Sequence, residues 1–260
     1  MPFVMFLGST NMFSIQDFSF HLTTTNIGHN VKYYDSIDST NTEMCKIITD
    51  NKSNTIDMIV TDYQTNGRGR LNNRWLSKQF DSITCSILIK DSIDNLELIL
   101  PLSCGIAIVE SIFKNNNIKC ELKWPNDILY DNKKIGGILI EKKSNYFIVG
   151  LGLNVNQKKM NADIADKSCS LRQIMNEKIS REYLLAEILN MLEKLINQTK
   201  EIITPIIGTV FYPWENDIDG GYLEIYPHGQ DGEPERLEPK YNRLVIFPAG
   251  QHPHRVTKVT

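Results

Sequence analysis

One short segment, GRGRLNNRWLS, concentrates positive charge and begins at Gly67. Gly67 and Gly69 alternate with two arginines, so the backbone can approach a ligand closely. The guanidinium groups of Arg68 and Arg70 can then reach the same point. Gln64, at the end of the preceding predicted strand, can both donate and accept hydrogen bonds. This combination favours a phosphate or carboxylate site. For the loop alone a solvated turn is an equally good interpretation, and an RNA-binding Arg-Gly tract a weaker one.

The segment KWPND is a second candidate for binding an anion. Lys123 lies between Leu122 and Trp124, and burying a lysine there is costly unless the ammonium meets a negative charge. Pro125 forces an extended entry, and Asn126 presents polar atoms at the turn that follows. For this segment alone, an exposed lysine at a strand end is at least as good an interpretation.

The segments KIGGILIE and GLGLNVN form a third candidate. Gly136 and Gly137 weaken the strand that they interrupt, which is tolerated where another group lies against the backbone. Asn154 and Asn156 are two residues apart in a predicted strand, so they share a face and could bind a polar ligand edge together. Neither segment has the spacing of a dinucleotide-binding fingerprint or a P-loop.

The elements that must position these segments follow an α+β order. Helices are predicted early and late in the chain, with a meander of short strands between them. Thr40 and Glu43 have capping-box spacing at the start of the first helix, and Pro101 suits the first turn of a long apolar helix. An amphipathic helix is predicted over about 180–200. We therefore predict a mixed, mainly antiparallel sheet flanked by helices, with a short all-β C-terminal segment.

Composition divides the chain into three parts. Residues 1–30 show no sustained period and are predicted to form a weakly ordered extension. Residues 31–200 carry the periodic segments and are predicted to form the main domain. Beyond Thr204 the composition shifts to proline, glycine and aromatic residues, which predicts a β-rich segment over 205–260.

The net charge, the cysteines and the apolar segments argue against several classes of protein. The formal net charge is −3 and the pI is about 6.0, so no global positive field attracts nucleic acid or an anionic membrane. Five cysteines without a C-x-x-C pair indicate a reducing cytoplasm. The start of the chain lacks a basic region, so no signal peptide is expected. The apolar run 96–113 is interrupted by Glu97 and Pro101, which favours a buried helix over a membrane span.

Taken together, six ordered segments resemble those of biotin protein ligases, across roughly residues 32–157. They are STN at 39–41, Q-x-x-G-R-G-R, a tryptophan with a nearby serine, KWPND, K-x-G-G-I-L-I-E and GLGLNVN. The resemblance implies a class II synthetase-like fold and ATP-dependent activation of biotin to biotinyl-5′-AMP, with Mg²⁺ accompanying ATP. The biotinyl group would then pass to one lysine of a biotin carboxyl carrier protein domain. A lipoate-type ligase and a non-catalytic biotin-binding protein are the alternatives.

The resemblance also implies residue roles. Lys123, with Arg68 and Arg70, would offset the repulsion between the biotin carboxylate and the α-phosphate. Trp75 would stack on the adenine side of the site. The other residues implied in ligand binding are Ser39, Thr40, Asn41, Gln64, Gly67, Gly69, Asn126, Asn154 and Asn156. The glycine-containing loop is expected to order on ligand binding, and no dedicated protein metal site is expected.

The sequence departs from this family in three places. Asn72 and Asn73 stand where the family has glycine and then arginine, and asparagine tolerates the positive φ of such a turn. No winged-helix pattern precedes the main domain, so no specific DNA binding is expected. In place of the family's final barrel, the last 55 or so residues resemble the end of a 2-oxoglutarate/Fe(II) dioxygenase, with His254 as an iron ligand. The H-x-D pair is missing upstream, so an incomplete fragment without oxygenase activity is expected.

Overall fold

The structure is a computed structural model that describes residues 11–53, 55–92 and 96–201, together with the backbone of five later strands. The chain separates into two compact units, Met1–Asn197 and Gln198–Thr260.

The described part of the first unit contains five α-helices, the last of which runs past Asn197, and seven strands. The helices are α1 (Ile15–His21), α2 (Thr40–Thr49), α3 (Leu96–Asn116), α4 (Leu171–Met175) and α5 (Arg181–Glu201). The strands are β1 (Val31–Tyr34), β2 (Met58–Thr61), β3 (Ser82–Lys90), β4 (Glu121–Lys123), β5 (Asp127–Tyr130), β6 (Lys133–Lys143) and β7 (Tyr146–Asn154).

The seven strands form one sheet in the order β1-β2-β3-β7-β6-β5-β4. β1 and β2 run parallel, and every other neighbouring pair is antiparallel. Long connections precede β2, β3 and β4, whereas tight turns join β4 through β7. The predicted α+β fold with a mixed, mainly antiparallel sheet is confirmed.

β3 is buried on both faces and separates the core from the side that carries the cleft. Ile83, Cys85 and Ile87 are at most 2% exposed and pack into the larger apolar cluster, which includes residues of α1, α3, α4 and α5. Burial raises the pKa of the Cys85 thiol to about 12, as expected for an inert core cysteine. On the opposite face, α2 packs over Ile59, Leu88 and Ile148. α2 leaves the rest of that face of the sheet uncovered, and this part of the face can form a ligand site.

α3 is the one described helix that is long and apolar enough, by length and composition, to cross a membrane. Leu100, Cys104, Ala107 and Ile112 are nevertheless at most 1% exposed inside the core cluster. The helix therefore has the burial of a core helix. It begins at Leu96, one turn earlier than predicted, because the buried Leu96 and Leu100 extend the apolar face before the proline.

The start of α2 also differs from the prediction. Ser39 is the N-cap, and its hydroxyl accepts a hydrogen bond from the Thr42 N–H. Thr40 and Glu43 form no capping box, because Glu43 instead accepts a 2.8 Å hydrogen bond from the Tyr34 hydroxyl. The helix start is thereby held against the sheet edge, and the Thr40 side chain remains available to the cleft.

The prediction of a weakly ordered extension over residues 1–30 is wrong for residues 11–30. Phe13, Phe18 and Ile27 are at most 6% exposed within the core cluster, with Phe18 in the middle of α1. Residues 1–10 lie outside the described part. Local periodicity missed this segment because its order comes from packing against distant helices.

Beyond the last residues of α5, the described part of the second unit consists of strands. β8 (Ile207–Tyr212) pairs with β11 (Arg243–Pro248), and β9 (Leu223–Ile225) lies between β10 (Glu235–Leu237) and β12 (His254–Val256). All three pairings are antiparallel.

Candidate active site

A cleft of about 330 Å³ opens on the face of the sheet beside α2. A row of cross-strand partners forms its floor: Thr84, Gly152, Gly137, Asp127 and Lys123, on β3, β7, β6, β5 and β4. All five residues line the cleft. We call this set the cleft row. Because neighbouring strands lie about 4.8 Å apart, the row spans about 19 Å.

Glycines in β7 make room for the cleft's side walls. A Cβ atom at Gly150 would clash with the Asn41 Oδ1, and one at Gly152 would clash with the Trp75 indole. At Gly137 a Cβ would lie 3.3 Å from the Lys134 Nζ, which is a movable neighbour. On the other face of β6, a Cβ at Gly136 would lie 2.8 Å from the Leu153 Cδ1, so the close approach predicted for the glycine pair is present at Gly136. Within the cleft, the glycines of β7 are the positions where another group lies on the backbone.

Uncharged polar groups surround the Thr84 end of the row. The Gln64 Oε1 accepts hydrogen bonds from the Thr40 N–H at 2.8 Å and the Thr40 hydroxyl at 3.1 Å. The Ser86 hydroxyl lies 2.7 Å from the Thr40 Oγ1 and 2.5 Å from the Asn41 Oδ1. This network fixes the Gln64 carbonyl and leaves its amide N–H groups available to a ligand.

The arginine loop closes on itself through its backbone. The Trp75 N–H donates to the Gly67 carbonyl at 3.0 Å, and the Gly69 N–H donates to the Asn73 carbonyl at 2.8 Å. Gly67 is required by space, since a Cβ would lie 2.5 Å from the Trp75 carbonyl oxygen. The left-handed residue of the loop is Leu71, with φ 53°, whereas Asn73 is extended, which corrects the expectation that an asparagine takes the positive φ.

Arg68 and Arg70, the two loop residues predicted to bind an anion, both have partners within the protein. The Arg68 NH2 lies 2.7 Å from the Glu141 Oε2, an oxygen that also accepts from the Asn41 amide at 2.7 Å. The Arg70 NH1 lies 3.4 Å from the Asn126 Oδ1. The Glu141 carboxylate thus offsets part of the Arg68 charge before any ligand arrives. Among the described residues, the Arg70 guanidinium has only an uncharged amide as its hydrogen-bond partner, so its charge is not offset.

Positive charge lines the cleft, and Arg70 and Lys134 lie toward the Lys123 end of the row. The basic residues that line the cleft are Arg68, Arg70, Arg74, Lys123 and Lys134. The Lys134 Nζ lies 2.5 Å from the Asp127 Oδ1 and 6.0 Å from the centre of the Trp75 ring. Lys123 is exposed, which agrees with the second of the two interpretations of KWPND, and its ammonium makes no ion pair with the described residues. An anion in the cleft would meet unpaired cations.

Comparison with known proteins agrees with this geometry. Residues 33–156 match the biotin/lipoate A/B protein ligase family, over the stretch that builds the cleft. They form a domain similar to the biotin/lipoate ligases, which we call the ligase domain. Residues 198–260 match a different family, the 2OG-Fe(II) oxygenase superfamily.

Relatives of the ligase domain are known from several organisms. The bifunctional ligase/repressor BirA of Bacillus subtilis is 32% identical over 189 residues, which cover 70% of this chain and 58% of that protein. The biotin–[acetyl-CoA-carboxylase] ligase of Mycobacterium tuberculosis is 31% identical over 111 residues, 41% of this chain and 42% of that protein. The chain thus spans about half the length of these relatives.

A solved structure shares the fold of the ligase domain. The biotin protein ligase from Aquifex aeolicus, in complex with biotin and ATP, superposes with a TM-score of 0.61 at 25% identity. The superposition covers 88% of this chain and 100% of that one.

Most of the predicted site residues meet in the cleft of the ligase domain. Those that line it are Ser39, Thr40, Asn41, Gln64, Arg68, Gly69, Arg70, Trp75, Lys123 and Asn126. Gly67 lies behind the wall, against the Gln64 amide and the Trp75 backbone.

Asn154 and Asn156 do not line the cleft of the ligase domain, contrary to the prediction. The Asn154 amide donates to the Cys169 carbonyl at 3.2 Å. The Asn156 side chain donates to the Ile179 carbonyl at 2.8 Å and accepts from the Ile179 N–H at 2.9 Å. Both amides hold the chain that follows β7. The two-residue spacing of Asn154 and Asn156 predicts that both side chains lie on one face. It does not predict which groups that face meets.

Sequence reasoning missed several residues of the site, of which Lys134 is the most important. It belongs to the K-x-G-G segment and lines the cleft beside Trp75. The hairpin of β5 and β6 places the Lys134 side chain against Asp127. Aligning these two strands as a hairpin in the sequence would have predicted this proximity. Glu141, the last residue of the same segment, was also missed, and its partner Arg68 belongs to a loop 73 positions away.

The ligase domain contains no cluster of three or more His, Cys, Asp or Glu side chains suited to a metal ion, as far as its described residues go. Asp127 is the carboxylate among the lining residues, and it is paired with Lys134. The His254 side chain lies outside the described part, so the predicted iron ligand has no structural outcome.

Proposed function

We propose that the protein activates biotin with ATP to biotinyl-5′-AMP and transfers the biotinyl group to a specific lysine of a biotin carboxyl carrier protein domain. The observation that supports the proposal is that the two ends of the cleft row differ in charge. Uncharged hydrogen-bonding groups surround one end, and unpaired cations gather about 19 Å away at the other. Biotin has the same polarity, with an uncharged ureido ring at one end and a carboxylate at the other.

The uncharged end would hold the ureido ring. The Gln64 amide N–H groups can donate to the ureido oxygen, because the Gln64 carbonyl is already fixed by Thr40. Both residues are at most 8% exposed, so these hydrogen bonds form away from competing water.

The cationic end would bring two anions together. The biotin carboxylate and the α-phosphate of ATP repel each other, and fixed cations lower that repulsion in the transition state. Lys123 and Arg70 have charge available for this, and Lys134 adds a third cation beside Trp75. A carboxylate oxygen attacks the α-phosphorus, and pyrophosphate leaves.

In the second step, transfer to the carrier lysine, the same cations would stabilise the charge that develops as the bond between the biotinyl group and AMP breaks. The neutral amine of the carrier lysine attacks the carbonyl carbon of the mixed anhydride, and AMP leaves with the bonding electron pair. Closure of the arginine loop over the cleft would keep water from the anhydride before the carrier arrives.

Mg²⁺ would accompany ATP. The residues present suit a metal that is bound mainly by phosphate oxygens, since the lining carboxylate of Asp127 is held by Lys134 at 2.5 Å. When bound, Mg²⁺ would neutralise charge on the leaving pyrophosphate.

Biotin-dependent release of pyrophosphate from ATP tests the first step, with lipoate in place of biotin as the matched arm. Release with biotin alone supports the proposal, whereas release with lipoate alone would establish the lipoate-type ligase. Biotin binding without release would establish the non-catalytic alternative. For the second step, a purified carrier domain should become biotinylated, and the same domain with its acceptor lysine replaced by arginine should not.

We further propose that residues 205–260 are an incomplete dioxygenase-like segment without oxygenase activity. The family match over 198–260 supports the likeness, and the sequence lacks an upstream H-x-D pair to join His254. Purified protein should contain no stoichiometric iron and should not turn over 2-oxoglutarate. Iron at one equivalent with turnover would contradict this.

A further inference from the structure

Three hydroxyl groups lie on one face of β3, and only the middle one has no partner among the described residues. The Ser82 hydroxyl accepts a 2.7 Å hydrogen bond from the Gln157 amide, and the Ser86 hydroxyl lies 2.5 Å from the Asn41 Oδ1. Thr84, between them, is 2% exposed, and its Oγ1 is buried and unpartnered. Thr84 lines the cleft, and the two serines do not. The missing partner therefore belongs on the cleft side.

A second unpartnered polar atom lies over the strand that neighbours Thr84. The Trp75 Nε1 is buried without a hydrogen bond to the described residues. The indole edge that carries it rests on Gly152, which is the cross-strand partner of Thr84. Two unsatisfied groups thus lie over neighbouring positions of the cleft floor. Buried polar groups in folded proteins are nearly always hydrogen-bonded, and exceptions concentrate where a ligand supplies the partner.

The position of Thr84 in the cleft row indicates which part of a ligand it would meet. It stands at the uncharged end, two residues from Ser86 and the network of Thr40 and Gln64. Lys123 lies at the opposite end of the row, four strands away. A ligand with one charged end would direct that end to Lys123 and its uncharged ring to Thr84.

We propose that Thr84 determines substrate specificity, through a hydrogen bond from its hydroxyl to the uncharged polar ring of the substrate. The inference rests on the proposed function, in which that ring is the ureido ring of biotin. A hydroxyl can both donate and accept, so it suits a ring that presents N–H groups beside a carbonyl. A substrate whose distal ring lacks such groups leaves the hydroxyl unpaired, and the site discriminates against it.

Titration calorimetry on the full chain tests the hydrogen bond, with biotin and its neutral amide, biotinamide, as probes. Thr84→Val keeps the shape and removes the hydroxyl, so it should weaken binding of both probes by about tenfold. Thr84→Ser should bind nearly as the parent does. A loss seen with biotin but not with biotinamide would place the contact at the carboxylate and overturn the proposal.

Thermal melting separates this role from a structural one. Thr84→Val removes an unpaired buried hydroxyl, so the ligand-free melting temperature should stay equal or rise, while the shift caused by biotin becomes smaller. Ser82→Ala is the matched control, because its hydroxyl is already paired: its ligand-free melting temperature should fall and its biotin affinity should not change. If Thr84→Val does not fold, Thr84→Ala serves the same comparison.

The outcomes distinguish this inference from the function on which it rests. A parent chain that fails to bind biotin would overturn the proposed function, and the role of Thr84 with it. A parent that binds biotin no better than Thr84→Val does would overturn the role of Thr84 alone.

Discussion

The indole of Trp75 rests directly on the backbone of Gly152, where any side chain would occupy the same space. Gly152→Ala should therefore displace Trp75 and lower kcat/KM for biotin-dependent pyrophosphate release by about 10²-fold, since small displacements at a reacting site are costly. Gly137→Ala is the control, because its Cβ would meet the movable end of the Lys134 side chain at 3.3 Å and the Trp75 ring at 3.6 Å, an ordinary van der Waals contact. Equal losses in the two variants would show that Trp75 does not need this position.

The two glycines of the arginine loop should respond differently to substitution. A Cβ at Gly67 would lie 2.5 Å from the Trp75 carbonyl oxygen, whereas at Gly69 the nearest atom lies at 3.4 Å. Gly67→Ala should raise KM for biotin and ATP strongly, because the loop cannot close as it does in the structure. Gly69→Ala should remain near the parent. Steady-state kinetics on both variants measures this, and the reverse order would contradict the loop geometry.

The cations at the far end of the row should contribute to the chemical step. Lys123→Ala should slow formation of biotinyl-adenylate by about 10²–10³-fold, the usual effect of removing one fixed group that stabilises developing charge. Single-turnover assays measure this rate, and a rate equal to the parent's would remove Lys123 from the mechanism.

Lys134 differs from Lys123 because it already neutralises a carboxylate. Lys134→Ala leaves Asp127 negative in the path of the phosphates, so its rate loss should exceed the effect of one missing cation. Adding Asp127→Asn to that variant should restore part of the rate. No restoration in single-turnover assays would mean that the Asp127 charge is not what opposes ATP.

The ion pair between Arg181 and Asp62 should be a main contributor to stability. Its atoms lie 2.6 Å apart, with side chains 4% and 0% exposed, and the Tyr33 hydroxyl donates to the same carboxylate. Arg181→Met leaves a buried charge unpaired and should lower the free energy of unfolding by about 3–5 kcal/mol in urea titrations. Lys114→Ala breaks the exposed pair with Glu187 and should cost at most about 1 kcal/mol. Similar costs would contradict the role of burial.

Glu193 should make stability depend on acidic pH. Burial alone would raise its pKa, but hydrogen bonds from the N–H groups of Thr25 and Asn26, at 2.6 and 2.7 Å, hold that pKa below the ordinary glutamate value. A lowered folded-state pKa stabilises the fold above the unfolded-state pKa, and this contribution is lost as pH falls through the folded-state value.

Glu193→Gln should accordingly lower the free energy of unfolding at neutral pH by about 1–3 kcal/mol and flatten its decline in acid. The control is Glu177→Gln, since Glu177 is exposed and makes no hydrogen bond to the described residues. Urea unfolding at several pH values measures both. A Glu193 variant with the parent's pH profile would contradict the assignment.

The sequence by itself determined the local parts of the ligase domain. The periodic segments predicted a mixed, mainly antiparallel sheet flanked by helices, and the glycines and arginines of the loop predicted an anion site. Ten of the predicted site residues line the cleft. These features depend on residue type and short spacing, which a single sequence displays directly.

Tertiary structure decided which of these residues meet and which polar groups are already satisfied. Asn154 and Asn156 have the types and spacing of ligand-binding residues, yet chain segments after β7 occupy their amides. Thr84 resembles its neighbouring serines, yet it alone faces the cleft unpaired. Strand register and long-range packing set these differences, because a hydrogen-bonding group is available to a ligand only where the rest of the fold leaves it without a partner.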